Sequence, residues 1–254
     1  MKIALCLHGC FNSSTDATSK GEEGFKYIKK HIIDNVWMSP NGLWLRINRS
    51  LRAWDVDVYI HSWEPHLNSR LKELYSPVLI KTEPQIDFSP KCKELGVDSL
   101  INPPRRPDTV LSHFYSIEES FKLLYSTDNK YDVVIKSRFD LGQINRAGST
   151  THVGCINFNT ENDLTRINMA YWDDHWMIPE GPPDAWFYGD HKTMNPFSSI
   201  YQNIIANLSN DTYIEDVSSR LGRDNLTNAS VLYKQFFIDY NLWENRLALP
   251  CQLN

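Results

Sequence analysis

Apolar runs with strand spacing alternate with apolar faces at helical spacing along most of this chain. Ile3, Ala4, Leu5, Cys6 and Leu7 form a short run that stops at His8-Gly9, which predicts a first buried strand. After a polar loop over 11–20, Phe25, Ile28, Ile32 and Val36 fall on one helical face, with Ile33 and Trp37 beside it. Beyond the break Ser39-Pro40-Asn41-Gly42, the positions Trp44, Ile47, Leu51 and Trp54 predict a second helix. Residues 56–60 read as a second strand ending at His61-Ser62-Trp63, and 77–81 as a shorter third. The Pro-rich stretch 83–108 reads as a surface excursion. Asp108 or Thr109 is then placed to cap a helix with Val110, Phe114, Ile117, Phe121 and Leu124 inward. That helix feeds the clearest strand, 131–135, which runs into Lys136-Ser137-Arg138-Phe139-Asp140.

The second half is less regular. A polar zone to about 163 gives no element, and Trp176-Met177-Ile178 predicts a strand before the turn at 179–183. Met194, Phe197, Ile200, Tyr201, Ile204, Ile205 and Leu208 mark a further helix, 227–240 a last one, and a strand is expected at the C-terminus. Strands alternating with helices predict an α/β fold with a Rossmann-like, mostly parallel central sheet flanked by helices. One domain over 1–254 is expected, with 1–140 as the ligand-binding half and 141–254 as the opposite half with the C-terminal helices.

Composition narrows the function. A net charge of −5 argues against a nucleic-acid surface. The initial apolar run is too short for a signal peptide and no later run would span a bilayer, so a cytoplasmic protein without a transmembrane segment is expected. Five scattered cysteines suggest neither a disulfide framework nor a zinc knuckle.

In open parallel sheets, ligands bind beyond the carboxyl ends of the strands. Here those ends bring His8-Gly9, His61-Ser62-Trp63, Lys81-Thr82-Glu83 and Ser137-Arg138-Phe139-Asp140 toward one cleft, a set suited to a diphosphate and a sugar. Asp55-Val56-Asp57 is a literal Asp-x-Asp, the form of many metal-binding donor sites. It precedes its strand, however, and so belongs at the wrong edge. Arg138 and Asp140 stand at the right edge. Arg138 suits bidentate phosphate binding and Asp140 a metal or sugar hydroxyls, and the same pair reads equally as a structural ion pair.

Five blocks occur in order: His8-Gly9; Asp57-Val58-Tyr59-Ile60-His61-Ser62-Trp63; Ser112-His113-Phe114-Tyr115-Ser116-Ile117; the segment from Tyr131 to Asp140; and Pro183-Asp184-Ala185-Trp186-Phe187-Tyr188-Gly189. Together, over roughly 1–208, they resemble a family of small glycosyltransferase-like proteins of bacterial surface-polysaccharide clusters and of large-DNA viruses and phages. The resemblance implies a GT-A-type fold and a nucleoside-diphosphate-sugar donor. It places His8 and Gly9 near the nucleotide, and His61 and Trp63 at the cleft wall. Ser112 and Tyr115 would face the cleft from the preceding helix, Arg138 and Asp140 would meet the diphosphate and donor sugar, and Asp184 would reach the acceptor side.

The expected activity is transfer of the sugar to a hydroxyl of a glycan acceptor. Arg138 would offset charge on the leaving diphosphate, with Mg2+ or Mn2+ held weakly by Asp140 and the donor. Asp184 would serve as base, its pKa raised by the neighbouring aromatic run; a turn-capping role is the alternative. Two other readings stay open. Asp173-Asp174-His175 with Asp190, His191 and His8 would suit a metal-dependent phosphohydrolase. A catalytically inactive carbohydrate-binding protein on the same fold is the other.

Overall fold

The computed structural model describes residues 1–11, 20–34, 37–38, 44–45, 54–100, 106–141, 156, 158–159, 161–171, 181–184 and 186–250. After β1 (Lys2–Gly9) the chain forms α1 (Lys20–Ile28), which passes into a π-helical turn at Lys29–Ile33. The short strands β2 (Trp37–Met38) and β3 (Trp44–Leu45) pair antiparallel as a separate ribbon. Next come β4 (Asp55–Ser62), α2 (Asn68–Tyr75), β5 (Leu79–Thr82), α3 (Ser89–Glu94), α4 (Pro107–Tyr125) and β6 (Val133–Arg138). The second half supplies β7 (Asn168–Tyr171), β8 (Trp186–Gly189), α5 (Ile200–Leu208), α6 (Asp211–Leu221), α7 (Ala229–Asp239) and β9 (Leu247–Pro250).

Seven strands build one mostly parallel sheet in the order β5-β4-β1-β6-β8-β7-β9. The first four are parallel, β8 runs antiparallel to both its neighbours, and β9 is parallel to β7. The expected α/β architecture with flanking helices is therefore present, and the sheet runs without a break across residue 140. Because strand order reverses between β1 and β6, the switch point of the sheet lies there.

The apolar runs explain this arrangement. β1 and β6 are central strands covered on both faces, so they read as continuous hydrophobic stretches. Ile3, Leu5, Leu7, Val133 and Ile135 face Ile28, Ile32 and Leu71 on one side. Ala4, Cys6 and Val134 face Val110, Phe114, Ile117 and the helices after β8 on the other. A side chain of this size buried in full contributes about 1.5–3 kcal/mol. α1 comes so close to the end of β6 that a Cβ on Gly24 would meet the Phe139 carbonyl oxygen at 1.8 Å, which only glycine permits.

Several boundaries differ from the sequence reading. α4 begins at Pro107, whose fixed φ suits a first helical residue, and Asp108 pairs with Arg106 instead of capping. Trp44–Leu45 is strand, not helix, because it pairs with Trp37–Met38; residues 46–53 lie outside the described residues. The stretch 83–108 contains α3, which buries Cys92 alone and so carries no periodic signal. β7 and α6 were also not predicted. The strand expected at 176–178 lies outside the described residues. Among the described residues, no helix is long and apolar enough to cross a membrane.

Candidate active site at the β1–β6 switch point

A cleft of about 710 Å³ opens at the carboxyl ends of the parallel strands, a volume suited to a small ligand. His8, Gly9, Trp63, Ser112, Arg138 and Asp140 all line it, so six of the residues singled out in the sequence converge there. Asp184 reaches the same end from an unexpected direction. Since β8 runs antiparallel, with Trp186 opposite Ser137, the residues just before β8 return to the tips of the parallel strands.

Arg138 and Asp140 form a bidentate pair, Nε to Oδ1 at 2.8 Å and Nη2 to Oδ2 at 2.6 Å. Both side chains remain partly exposed to the cleft. Burial acts against the Arg138 charge, but Asp140 and Asp184 outweigh it and raise its pKa above the ordinary value. The guanidinium has five donors, and the Asp140 pair uses two, so Arg138 keeps capacity for an incoming anion.

Asp184 is the centre of a buried cluster. Its Oδ1 accepts from Lys136 Nζ at 2.6 Å and from the Tyr233 hydroxyl at 2.9 Å. His113 Nε2 lies 2.9 Å from the same oxygen, and Arg138 Nη1 lies 3.6 Å from Oδ2. Lys136 projects from β6 and is fully buried, with Nζ 5.1 Å from the Phe187 ring centre and 5.4 Å from that of Tyr233. Burial pushes the Asp184 pKa up, yet His113, Lys136 and Arg138 together hold it well below the usual carboxylate range. This corrects the sequence expectation of a raised pKa. The aromatics beside Asp184 in sequence point into the core, while the basic groups that face it, Lys136 and Arg138 from β6 and His113 from α4, come from elsewhere in the chain.

His8 presents the opposite case. Its side chain is 2% exposed, and neither ring nitrogen has a hydrogen-bond partner among the described residues. The His113 ring lies edge-on to it at 5.1 Å between centres. Burial, reinforced by Lys136, His113 and Arg138, drives its pKa well below the ordinary histidine value.

Next to it, Gly9 takes a left-handed φ of +101° that turns the chain toward Cys10 and Phe11 on the cleft floor. The turn is held from behind: Gly9 N–H donates to Ser116 Oγ at 2.9 Å, and that oxygen lies 2.7 Å from His61 Nδ1. His61 Nε2 lies 3.0 Å from Glu83 Oε1. Burial lowers the His61 pKa despite Glu83, so the neutral imidazole donates from Nε2–H to Glu83 and accepts the Ser116 hydroxyl at Nδ1. His61 is therefore not at the cleft wall. It is fully buried, with both nitrogens engaged, and braces the Gly9 turn.

Trp63 does form wall, stacked on Tyr115 at 5.5 Å. Tyr115 supports Trp63 from behind and is not among the lining residues, contrary to expectation. Ser112 lies in the cleft and accepts from Gln85 Nε2 at 2.7 Å.

The acidic motif at the start of β4 stays at the far edge, where Asp57 accepts from the Tyr131 hydroxyl at 2.6 Å and pairs with Lys2 at 3.1 Å. Asp190 and His191 follow the end of β8, opposite Val134, and so lie at the edge away from His8. The metal constellation considered for a phosphohydrolase is thereby separated, and Asp173-Asp174-His175 lies outside the described residues. Asp140 does not fit the expected Mg2+ or Mn2+ site as placed, because an ion on either oxygen would sit against the Arg138 charge. Among the described residues no group of three or more His, Cys, Asp or Glu side chains could hold a metal ion.

Sequence reasoning missed Lys136, His113 and Tyr233. Lys136 carried a signal, since a lysine inside the buried run 133–138 demands a buried counter-charge. Tyr233 carried none, lying 49 positions from the carboxylate it contacts.

No family model matches the chain, and no curated protein matches it in sequence. Among solved structures it is similar to the crystal structure of mouse xyloside xylosyltransferase 1 in its apo form. The TM-score is 0.44 and the identity 9%, over 99% of this chain and 86% of that one, a likeness too distant to bear on reaction or substrate.

Proposed function

We propose that this chain is a glycosyltransferase that binds a nucleoside-diphosphate sugar in the switch-point cleft and transfers the sugar to a hydroxyl of a glycan acceptor. The observation that carries the reading is the meeting of Arg138, the buried His8 imidazole and the Trp63 wall at the carboxyl ends of β1, β4 and β6. This combination of one partly exposed guanidinium, an unpartnered imidazole and an aromatic side suits a phosphate group joined to rings. The fold is compatible with the GT-A-type arrangement that the sequence resemblance implies.

In the transfer, the acceptor hydroxyl oxygen bonds to the anomeric carbon while the bond from that carbon to the phosphate oxygen breaks, and the hydroxyl proton passes to the departing diphosphate, directly or through water. The electron pair stays on the diphosphate, and a fixed positive charge at that oxygen lowers the barrier. Arg138 is the residue for this role, oriented by Asp140 on one side and by the Asp184 cluster on the other. Asp184, held ionised among three basic groups, acts here as a positioning residue beneath Arg138 and His113.

The test is a thermal-shift screen of the full chain against nucleoside diphosphates and nucleotide sugars, with and without Mn2+, followed by product analysis. Stabilisation by a subset sharing one base, with sugar released only to an acceptor, supports the reading. Rapid acceptor-independent hydrolysis of the diphosphate favours a phosphohydrolase, and binding of glycans alone an inactive lectin-like protein.

A further inference from the structure

Among the described residues several buried side chains carry a polar atom with no hydrogen-bond partner, and of these His8 is the one that lines the cleft. Buried polar groups are hydrogen-bonded in the great majority of cases, and each exception calls for a physical reason. His8 is such an exception at both ring nitrogens, among the described residues. It is 98% withdrawn from solvent yet forms part of the cleft lining, at the strand end nearest the switch point. His61, one strand away at the paired position, shows what a structural histidine looks like here: both of its nitrogens are satisfied.

The groups facing His8 are Lys136 and Arg138 from β6, His113 from α4, and Asp184 from the turn before β8. Lys136 and Arg138 already share the single Asp184 carboxylate. An imidazole placed there resists protonation as long as the cleft holds no anion, because burial, Lys136, His113 and Arg138 together outweigh the opposite pull of Asp184. A phosphate group entering beside Arg138 reverses both the field and the solvation at His8, since it brings negative charge and an acceptor oxygen together.

We propose that His8 is the phosphate anchor of the cleft, donating a hydrogen bond to an oxygen of the nucleoside diphosphate and taking up one proton from solvent as the ligand binds. The proposal rests on the donor reading of this cleft and adds a proton to its balance. The free protein carries neutral His8, and the complex carries an imidazolium against the diphosphate. When the glycosidic bond breaks and its electron pair moves to the phosphate oxygen, that imidazolium stands with Arg138 where negative charge develops. Proton release then accompanies departure of the diphosphate product.

Titration calorimetry of the full chain with nucleoside diphosphates, in two buffers of different ionisation enthalpy at pH 7.5, counts protons taken up on binding. For the wild type we expect uptake approaching one proton per ligand. Between pH 8 and 9, where the ligand's own phosphate is almost fully ionised, affinity should fall with rising pH toward a tenfold loss per unit. His8→Asn should lose affinity on the order of ten- to hundredfold, as for a charged hydrogen bond, and its uptake should drop toward zero. If His8→Asn does not fold, the wild-type proton count and pH slope still decide.

Tight binding with no proton uptake, or uptake unchanged in a folded His8→Asn and abolished in His113→Gln, overturns the role of His8 and leaves the donor reading standing. Failure of the wild type to bind any nucleoside diphosphate overturns both.

Discussion

Lys136 and Asp184 meet at 2.6 Å with side chains 0% and 7% exposed, joining the centre of the sheet to the turn that returns the chain to the cleft. A buried pair of this kind is weak evidence for net stability. Removing one partner is nevertheless costly, because the other charge is left unpaired in a dry site. Asp184→Asn should therefore destabilise the fold by about 3–5 kcal/mol in denaturant melting. A variant as stable as wild type that has lost only turnover would restore the catalytic-base role expected from sequence.

The same carboxylate sets an acid limit. Its folded pKa lies well below the ordinary aspartate value, so its contribution is fully present above the unfolded value of about 3.9 and is lost as pH falls through the folded one. Wild-type stability should decline below about pH 4, and Asp184→Asn should show a flatter profile over that range. Parallel profiles for the two proteins would contradict the depressed value.

His8 and His61 add a second window of similar sign. Both fold with lowered pKa values, so the unfolded chain binds more protons and stability rises with pH between the lowered folded values and about 6.5. Each contributes a slope of at most about 1.4 kcal/mol per pH unit. Melting followed from pH 7.5 down to 5 should stay nearly level to about pH 6.5 and fall below it, and His8→Asn should reduce that lower slope. No change in slope would mean that His8 carries its proton in the free protein.

The two acidic motifs separate cleanly. Asp140→Asn releases one side of the Arg138 fork and should weaken nucleoside diphosphate binding about tenfold or more. Asp57→Asn, at the opposite edge with Tyr131 and Lys2, should leave binding unchanged and cost about 1 kcal/mol of stability. Binding titrations and melting curves on both variants check this, and a reversed pattern would move the site to the other edge of the sheet.

Much of the fold was legible because its central strands are buried on both faces and so write continuous apolar runs, 3–7 and 133–135, into the chain. The edge away from Asp57 followed from strand direction alone. Elements that bury few side chains were not legible. α3 hides Cys92 alone, and β7 spans four residues and begins with the buried polar Asn168.

For the site, sequence located the strand tips but could not tell which side of a tip faces the ligand. His8 and His61 occupy the same register position on neighbouring strands, yet one is left seeking a partner and the other is consumed by Ser116 and Glu83. Nor could sequence foresee the Asp184 environment. Its contacts with Lys136 and Tyr233 span 48 and 49 positions, and they depend on β8 running against its neighbours.

The central claim is that the switch-point cleft binds a nucleoside-diphosphate sugar through Arg138, and titration calorimetry of wild type against Arg138→Lys tests it most directly. Lysine keeps the charge but loses the planar fork that suits phosphate and that Asp140 orients. The account predicts saturable one-site binding to the wild type and affinity on the order of ten- to hundredfold weaker in a folded Arg138→Lys variant. Equal affinity in the two proteins, or no binding of any nucleoside-diphosphate sugar to the wild type, would contradict it.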